Sequence, residues 1–263
     1  MGERLIRVGD GCGIACDYRE APSRPVLIFS NSLGADRSMW APQIAAFAGD
    51  FAALTYDTRG HGRSEAPSGA YSIDRLAQDV LDLMDALDIA TAHFCGLSLG
   101  GMTGQALGSR APKRFRSLVL STTSAYMGPP AGWQERIETV GAGGMAAIAD
   151  IVLGRWFTPD FARAEPETVA RMRAQIVGTD PAGYAGCCAA IRDMDLRATA
   201  ASIRVRTLII VGDQDEATPL PHGQFLHEHI RGSRLVTLAA AHLANVEQPV
   251  AFNDALRAFW KED

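Results

Sequence analysis

A chain of 263 residues, 47% hydrophobic and 21% charged, holds enough apolar material for one large core carrying an insertion, or for two small domains. Its net charge of -5, with the Lys and Arg scattered along the chain, excludes the basic footprint of a nucleic-acid binder. Five cysteines, an odd number that includes the adjacent Cys187 and Cys188, fit no disulfide framework, and neither the Cys12/Cys16 spacing nor any histidine cluster reads as a metal site.

Met1 to Arg7 carries charges where a secretory leader needs its apolar region, and no apolar run approaches the ~20 residues of a membrane span. The expectation is a cytoplasmic protein with no membrane partner. Leu5 to Val8, a Gly9-Asp10-Gly11 turn and Ile14 to Arg19 read as a hairpin. Pro25 to Ser30 is a continuous apolar run, as in a strand covered on both faces, and it ends in the polar loop Asn31-Ser32-Leu33-Gly34. A short helix over Trp40 to Phe47 precedes a strand over Phe51 to Tyr56, which closes in Asp57-Thr58-Arg59-Gly60-His61-Gly62-Arg63-Ser64. Ile73, Leu76, Ala77, Val80, Leu83, Met84 and Leu87 recur at steps of three and four, which predicts a helix from about Ser72, its N-cap, to Leu87.

A short strand over Thr91 to Cys95, with Cys95 as a small core residue, then meets Gly96-Leu97-Ser98-Leu99-Gly100 and an apolar helix over Leu99 to Leu107. In this G-x-S-x-G pattern the glycines permit a sharp strand-to-helix turn that lifts the Ser98 hydroxyl above the end of a buried strand. The N–H of Leu99, at the helix N-terminus, supplies half of an oxyanion hole. Ser117 to Ser121 is another strand, and the alternation of strand and helix implies a parallel sheet with helices on both faces. The alternation stops near Ser124 and resumes at Arg206 to Val211. Between lies a helix-rich segment punctuated by Pro129, Pro130, Pro159, Pro166 and Pro181, so residues 126–200 are expected to form a helical cap inserted into a core of 1–125 and 201–263. Leu235 to Leu238 is the last strand, and Pro249 opens a terminal helix that turns Phe252, Leu256, Phe259 and Trp260 inward.

A serine hydroxyl needs a base to take its proton, and the base needs a third group to orient it. His242 follows the final strand, on the sheet edge expected for Ser98, and is the first choice as base. His61, also in a loop that ends a strand, is the rival. His93 reads as structural, and His222, His227 and His229 as surface residues. The acid should follow a strand between nucleophile and base, where Asp213, Asp215 and Glu216 are available. The turn at Gly212 favours Asp215, although spacing alone leaves Asp213 open.

Together these residues resemble the α/β-hydrolase family, whose triad runs in the order Ser, Asp, His. The resemblance implies a mostly parallel central sheet flanked by helices, with the inserted cap. Gly212 to Asp215 is similar to the family's G-x-x-D, which supports Asp215. Asn31-Ser32 stands where a His-Gly pair is common, making Leu33 N–H the implied second oxyanion donor. Asp57 to Ser64 resembles the family's structural D-x-R-G-x-G-x-S loop, which counts against His61 as base. Phe94 to Met102, Gly132 to Thr139, Arg155 to Pro159, Cys187 to Asp193 and Ala241 to Glu247 look more narrowly like the 3-oxoadipate enol-lactonases of the β-ketoadipate pathway.

That resemblance implies hydrolysis of a small lactone bearing an acetate arm, by Ser98, Asp215 and His242, with no metal or organic cofactor. The expected partner is this carboxylated small molecule; assembly into a homo-oligomer is left open. All seven basic residues of 126–200 are arginine. Arg192 shares a helical face with Cys188 and Ala189 and is the candidate for the substrate carboxylate, an ion pair with Asp193 or Asp195 being the alternative. Trp133 is a candidate to lie over the lactone ring, ordinary core packing being the alternative. The competing readings are a general carboxylesterase, a carbon–carbon bond hydrolase, and a ligand-binding member of the fold without turnover. Dehalogenases and epoxide hydrolases are disfavoured, since they need a carboxylate where Ser98 stands.

Overall fold

In a computed structural model, which describes residues 2–261, β1 (Arg4–Arg7) and β2 (Gly13–Arg19) form an antiparallel hairpin. Next come β3 (Val26–Ser30), a tight turn of helix over Arg37–Trp40, α1 (Ala41–Phe47), β4 (Ala52–Tyr56), α2 (Ile73–Ala86), β5 (Ala92–Leu97), α3 (Leu99–Arg110) and β6 (Phe115–Ser121). Six helices follow: α4 (Pro130–Gly143), α5 (Ala149–Trp156), α6 (Pro159–Ala164), α7 (Pro166–Gly178), α8 (Pro181–Asp193) and α9 (Arg197–Ala200). The chain then closes with β7 (Arg206–Gly212), α10 (Leu220–His229), β8 (Arg234–Leu238), α11 (Ala244–Glu247) and α12 (Pro249–Trp260).

Among the described residues these strands form a single sheet in the order β1-β2-β4-β3-β5-β6-β7-β8, antiparallel at β1/β2 and β2/β4 and parallel from β4 onward. Every residue of β5 is buried, as expected for a central strand covered on both faces. The predicted face of α2 is the one that packs: Ile73, Leu76, Ala77, Val80, Leu83 and Met84 are buried, and the Ser72 hydroxyl caps the helix by accepting the Arg75 N–H at 3.1 Å. α3 is buried from Leu99 to Gly108, and a Cβ at Gly104 would stand 2.9 Å from Leu120 and Phe94, so its glycines let it lie directly on β5 and β6.

Some boundaries differ from the sequence reading. β5 runs on to Leu97, because Gly96 and Leu97 stay in register with Leu120 and Ser121 of β6. The helix expected over Trp40 to Phe47 divides at Trp40: Pro42 has no N–H to donate back into the preceding turn and sits instead in the first turn of α1. Between β6 and β7 no strand occurs among the described residues, and four of the six helices begin at a proline.

The loop after β4 is a structural brace. The Asp57 carboxylate accepts the backbone N–H groups of Arg37 and Arg63, and the buried guanidinium of Arg59 pairs with Asp79 through two bonds of 2.6 and 2.7 Å. Gly60 in that loop touches Gly183 of α8 backbone to backbone; a Cβ at Gly183 would stand 2.2 Å from Gly60 Cα.

Candidate active site

The loops that follow β3, β5, β7 and β8 open on one edge of the sheet, the carboxyl ends of its parallel strands, where open α/β sheets bind their ligands. Ser98 occupies the turn between β5 and α3 at φ 56° and ψ -113°, a left-handed conformation that costs a non-glycine residue roughly 1–3 kcal/mol. Its surroundings impose it. Ser98 N–H donates to Ser121 O at 2.9 Å, and Ser98 O accepts from Thr123 Oγ1 at 2.7 Å and Met102 N at 2.9 Å. A Cβ on Gly96 would lie 2.2 Å from Gly100 O, and one on Gly100 would lie 2.2 Å from Ser30 O. Any side chain there would push the turn open.

Asp215, in the loop after β7, and His242, in the loop after β8, meet each other, and His242 lines the same cavity as Ser98. His242 Nδ1 donates to Asp215 Oδ2 at 2.9 Å, and both side chains are buried. Asp215 Oδ2 also accepts Thr218 Oγ1 at 2.7 Å, and its Oδ1 accepts the N–H groups of Ala217 and Thr218 at 2.8 and 3.0 Å. Burial pushes the Asp215 carboxyl up, but the His242 imidazole and these hydrogen bonds outweigh it and hold its pKa below the ordinary value. Asp213 and Glu216, the other carboxylates of this loop, are exposed.

The remaining histidines separate on geometry. His61 is buried with Nε2 held by the Gly34 N–H at 2.8 Å and does not line the cavity that holds Ser98 and His242. His93 is buried in β5 against Ser117 Oγ at 2.8 Å. His222, read from sequence as a surface residue, is half-buried: α10 packs so closely on β7 that a Cβ at Gly223 would overlap Val211, which brings His222 Nδ1 to 2.7 Å from Ser124 Oγ. His227 and His229 are exposed.

The cavity is floored by Ser32, Leu33, Ser98, Met102, Thr218 and His242, and roofed by Met127, Trp133, Arg136, Val152, Trp156 and Tyr184 from the helical segment. Leu33 therefore stands on the same cavity as Ser98. Leu99 opens α3, whose first N–H groups have no acceptor within the helix. Asn31 ties the loop down: its side chain donates to Tyr56 O and accepts Trp40 Nε1–H, and its carbonyl accepts Gly100 N–H at 3.0 Å.

Trp133 is fixed by its Nε1–H to Met127 O at 2.9 Å, with the Arg136 guanidinium over its ring, 4.9 Å from the centroid. Arg192 takes the ion-pair alternative that the sequence left open. It lies in the last turn of α8, is not among the residues lining the cavity, and spends its guanidinium on Asp193 at 2.7 and 2.8 Å and on Gln134 Oε1 at 2.6 Å. The cations that do line the cavity are Arg136 and Arg155, neither of which has an ion-paired carboxylate among the described residues. The buried Tyr184 hydroxyl sits near Arg136 but outside hydrogen-bond geometry, and burial pushes its phenol above the ordinary value.

Sequence reasoning included Arg136 among the seven arginines and Glu247 within the stretch Ala241 to Glu247 but singled out neither, and it passed over Tyr184 and Thr218. The spacing of Arg136 three residues after Trp133, hence on the same helix face, was a usable signal. Nothing local gave Glu247 a role; it is a buried carboxylate that accepts Ala241 N–H at 2.9 Å and the Thr158 hydroxyl, joining the His242 loop to the N-cap of α6. Among the described residues no group of three or more His, Cys, Asp or Glu is placed to hold a metal, and no helix is long and apolar enough to cross a membrane.

An eight-stranded, mostly parallel sheet with a strained serine at a strand-to-helix turn defines a class of hydrolases, and residues 25–249 match the model of the alpha/beta hydrolase fold. The chain belongs to this family and is an enzyme of it. Among its relatives, 3-oxoadipate enol-lactonase 2 of Acinetobacter baylyi is 45% identical, covering 90% of this chain and 89% of its own. The 3-oxoadipate enol-lactonase 1 of the same organism is 38% identical over 98% of this chain and 96% of its own. The crystal structure of the enol-lactonase from Burkholderia xenovorans superposes with a TM-score of 0.96 at 44% identity, over 98% of this chain and 100% of that one.

Proposed function

We propose that this protein hydrolyses 3-oxoadipate enol-lactone to 3-oxoadipate, a step of aromatic-compound degradation, through an acyl-enzyme on Ser98. The observation that carries this reading is the Asp215–His242 pair at 2.9 Å on the same cavity as Ser98, under a roof that offers Trp133 and an unpaired Arg136. High similarity to two enol-lactonases supports the choice of substrate.

In the first half-reaction Ser98 Oγ attacks the ring carbonyl while His242 Nε2 takes its proton and Asp215 steadies the imidazolium. The N–H groups of Leu33 and Leu99 receive the developing oxyanion. The ring C–O bond then breaks, and its electron pair leaves on an enolate oxygen, a better leaving group than an alkoxide. His242 returns the proton and the enol becomes a ketone. Because the substrate is cyclic, nothing departs at this stage and the acyl-enzyme carries the whole molecule. Water activated by His242 attacks the acyl carbon, Ser98 leaves with a proton, and the product gains its second carboxylate.

The acetate arm of the substrate pairs with Arg136 rather than Arg192, since a charge-assisted bond is strongest where water is excluded and Arg192 is already bound to Asp193. Trp133 covers the ring. In this reading residues 1–125 and 201–263 carry the triad and 126–200 select the substrate. The test is acid quenching during turnover followed by peptide mass analysis. An adduct of full substrate mass on the Ser98 peptide is expected, and an adduct on another residue would refute the assignment.

A further inference from the structure

His61 takes no part in the chemistry above, yet its ring is 1% exposed with both nitrogens engaged. Nε2 stands 2.8 Å from Gly34 N, and Nδ1 stands 3.2 Å from the carbonyl of Arg59. A carbonyl only accepts, so Nδ1 carries the proton and Nε2 presents its lone pair to the Gly34 N–H. Burial pushes the imidazole down to about 4, which keeps this neutral form at ordinary pH. The ring is backed by a braced part of the loop: Arg59, whose carbonyl it engages, is paired with Asp79 inside the core.

Gly34 immediately follows Leu33, at φ 87°, and the other end of the same loop is pinned by Asn31, whose carbonyl accepts Gly100 N–H at 3.0 Å. The Leu33 amide is thus spanned by two fixed peptide units, one tied to the serine turn and one tied to His61. Resting on the reading that Leu33 N–H receives the oxyanion, we infer that His61 is a positioning residue for that donor, acting through the Gly34 N–H. An oxyanion donor contributes in the transition state and little in the ground state, so loosening it lowers kcat and leaves KM almost unchanged.

The two shorter amides separate this role from simple space filling. In His61→Gln the side-chain oxygen reaches about where Nε2 stood and can accept from Gly34. In His61→Asn it reaches only the Nδ1 position, leaving the Gly34 N–H without an acceptor. The expected result for the enol-lactone is a kcat about 10- to 100-fold lower in His61→Asn, with KM within about threefold, and recovery of most of that loss in His61→Gln. The aryl ester p-nitrophenyl acetate should follow in parallel, since it forms the same oxyanion. Equal kcat losses in the two variants, or losses confined to KM, would overturn the inference. Ser98→Ala assayed alongside separates the failures: turnover by that variant sinks the triad reading itself, whereas its inactivity together with indistinguishable His61 variants sinks the role of His61 alone. Should the variants not fold, nitrogen NMR of the wild-type imidazole decides, with protonated Nδ1 and acceptor Nε2 expected. The opposite tautomer would refute the contact on which the inference stands.

Discussion

The proposed mechanism gives three side chains distinct duties, and their environments differ accordingly. Ser98 is held in a strained backbone by neighbours that leave it no alternative, His242 is oriented by Asp215, and Asp215 is held by Thr218 and two backbone amides. Ser98→Ala, His242→Ala and Asp215→Asn should each remain folded and lower kcat by roughly 10³-fold or more. Asp213→Asn, at an exposed position, should leave turnover within about twofold, a ratio that one steady-state assay series reads. The arginines give a second contrast. Arg136→Met should raise KM for the acidic lactone roughly thirtyfold, the loss of about 2 kcal/mol, while sparing a neutral ester; Arg192→Met should do neither. A rise in KM with Arg192→Met alone would return the carboxylate to α8. That Arg136 and Arg155 face inward and Arg192 does not was only partly legible in the sequence: the spacing of Arg136 after Trp133 placed those two on one face, but which helix faces turn to the cavity is set by packing between helices. The G-x-S-x-G turn, whose steric demand is local, was legible at once.

Among the elements, the contact between the loop after β4 and α8 joins the sheet to the helical roof through two glycines with no room between them. Gly183→Ala should force α8 off that loop and cost about 1–3 kcal/mol in urea denaturation. Gly141→Ala offers the control: it lies on the exposed side of α4 with open space around it, so the better helix former should leave stability unchanged or raise it by up to about 1 kcal/mol. A neutral Gly183→Ala would mean that the two backbones are not in contact in solution. The elements themselves could be read from periodicity, α2 to within a residue at each end, since its apolar spacing and Ser72 cap are properties of the segment alone. The ends of β5 and β6 were read short because register with a neighbouring strand sets them.

For the molecule as a whole, His61 adds an acid sensitivity of the folded state. Its pKa is lowered to about 4 in the folded chain from an ordinary 6.5, so the unfolded chain binds more protons between those values. Stability from this group is complete above pH 6.5 and is lost as the pH falls toward 4, by about 3 kcal/mol at most. Asp215, whose carboxyl is depressed, adds stability above its unfolded value that is lost only at lower pH still, as pH falls through the folded value. Urea midpoints between pH 7 and 4.5 should therefore drop more steeply in wild type than in His61→Gln, which has no proton to gain. Parallel curves would show that the buried ring does not govern this window.

The assignment of enol-lactone hydrolysis is reached most directly by comparing kcat/KM for 3-oxoadipate enol-lactone and for p-nitrophenyl acetate in one preparation of the wild-type enzyme. A cavity that pairs the acetate arm with Arg136 and covers the ring with Trp133 should favour the lactone by about 10²-fold or more, since positioning and a buried ion pair together supply a few kcal/mol in the transition state. Slow turnover of both substrates at similar kcat/KM would contradict the account and leave a general esterase in its place.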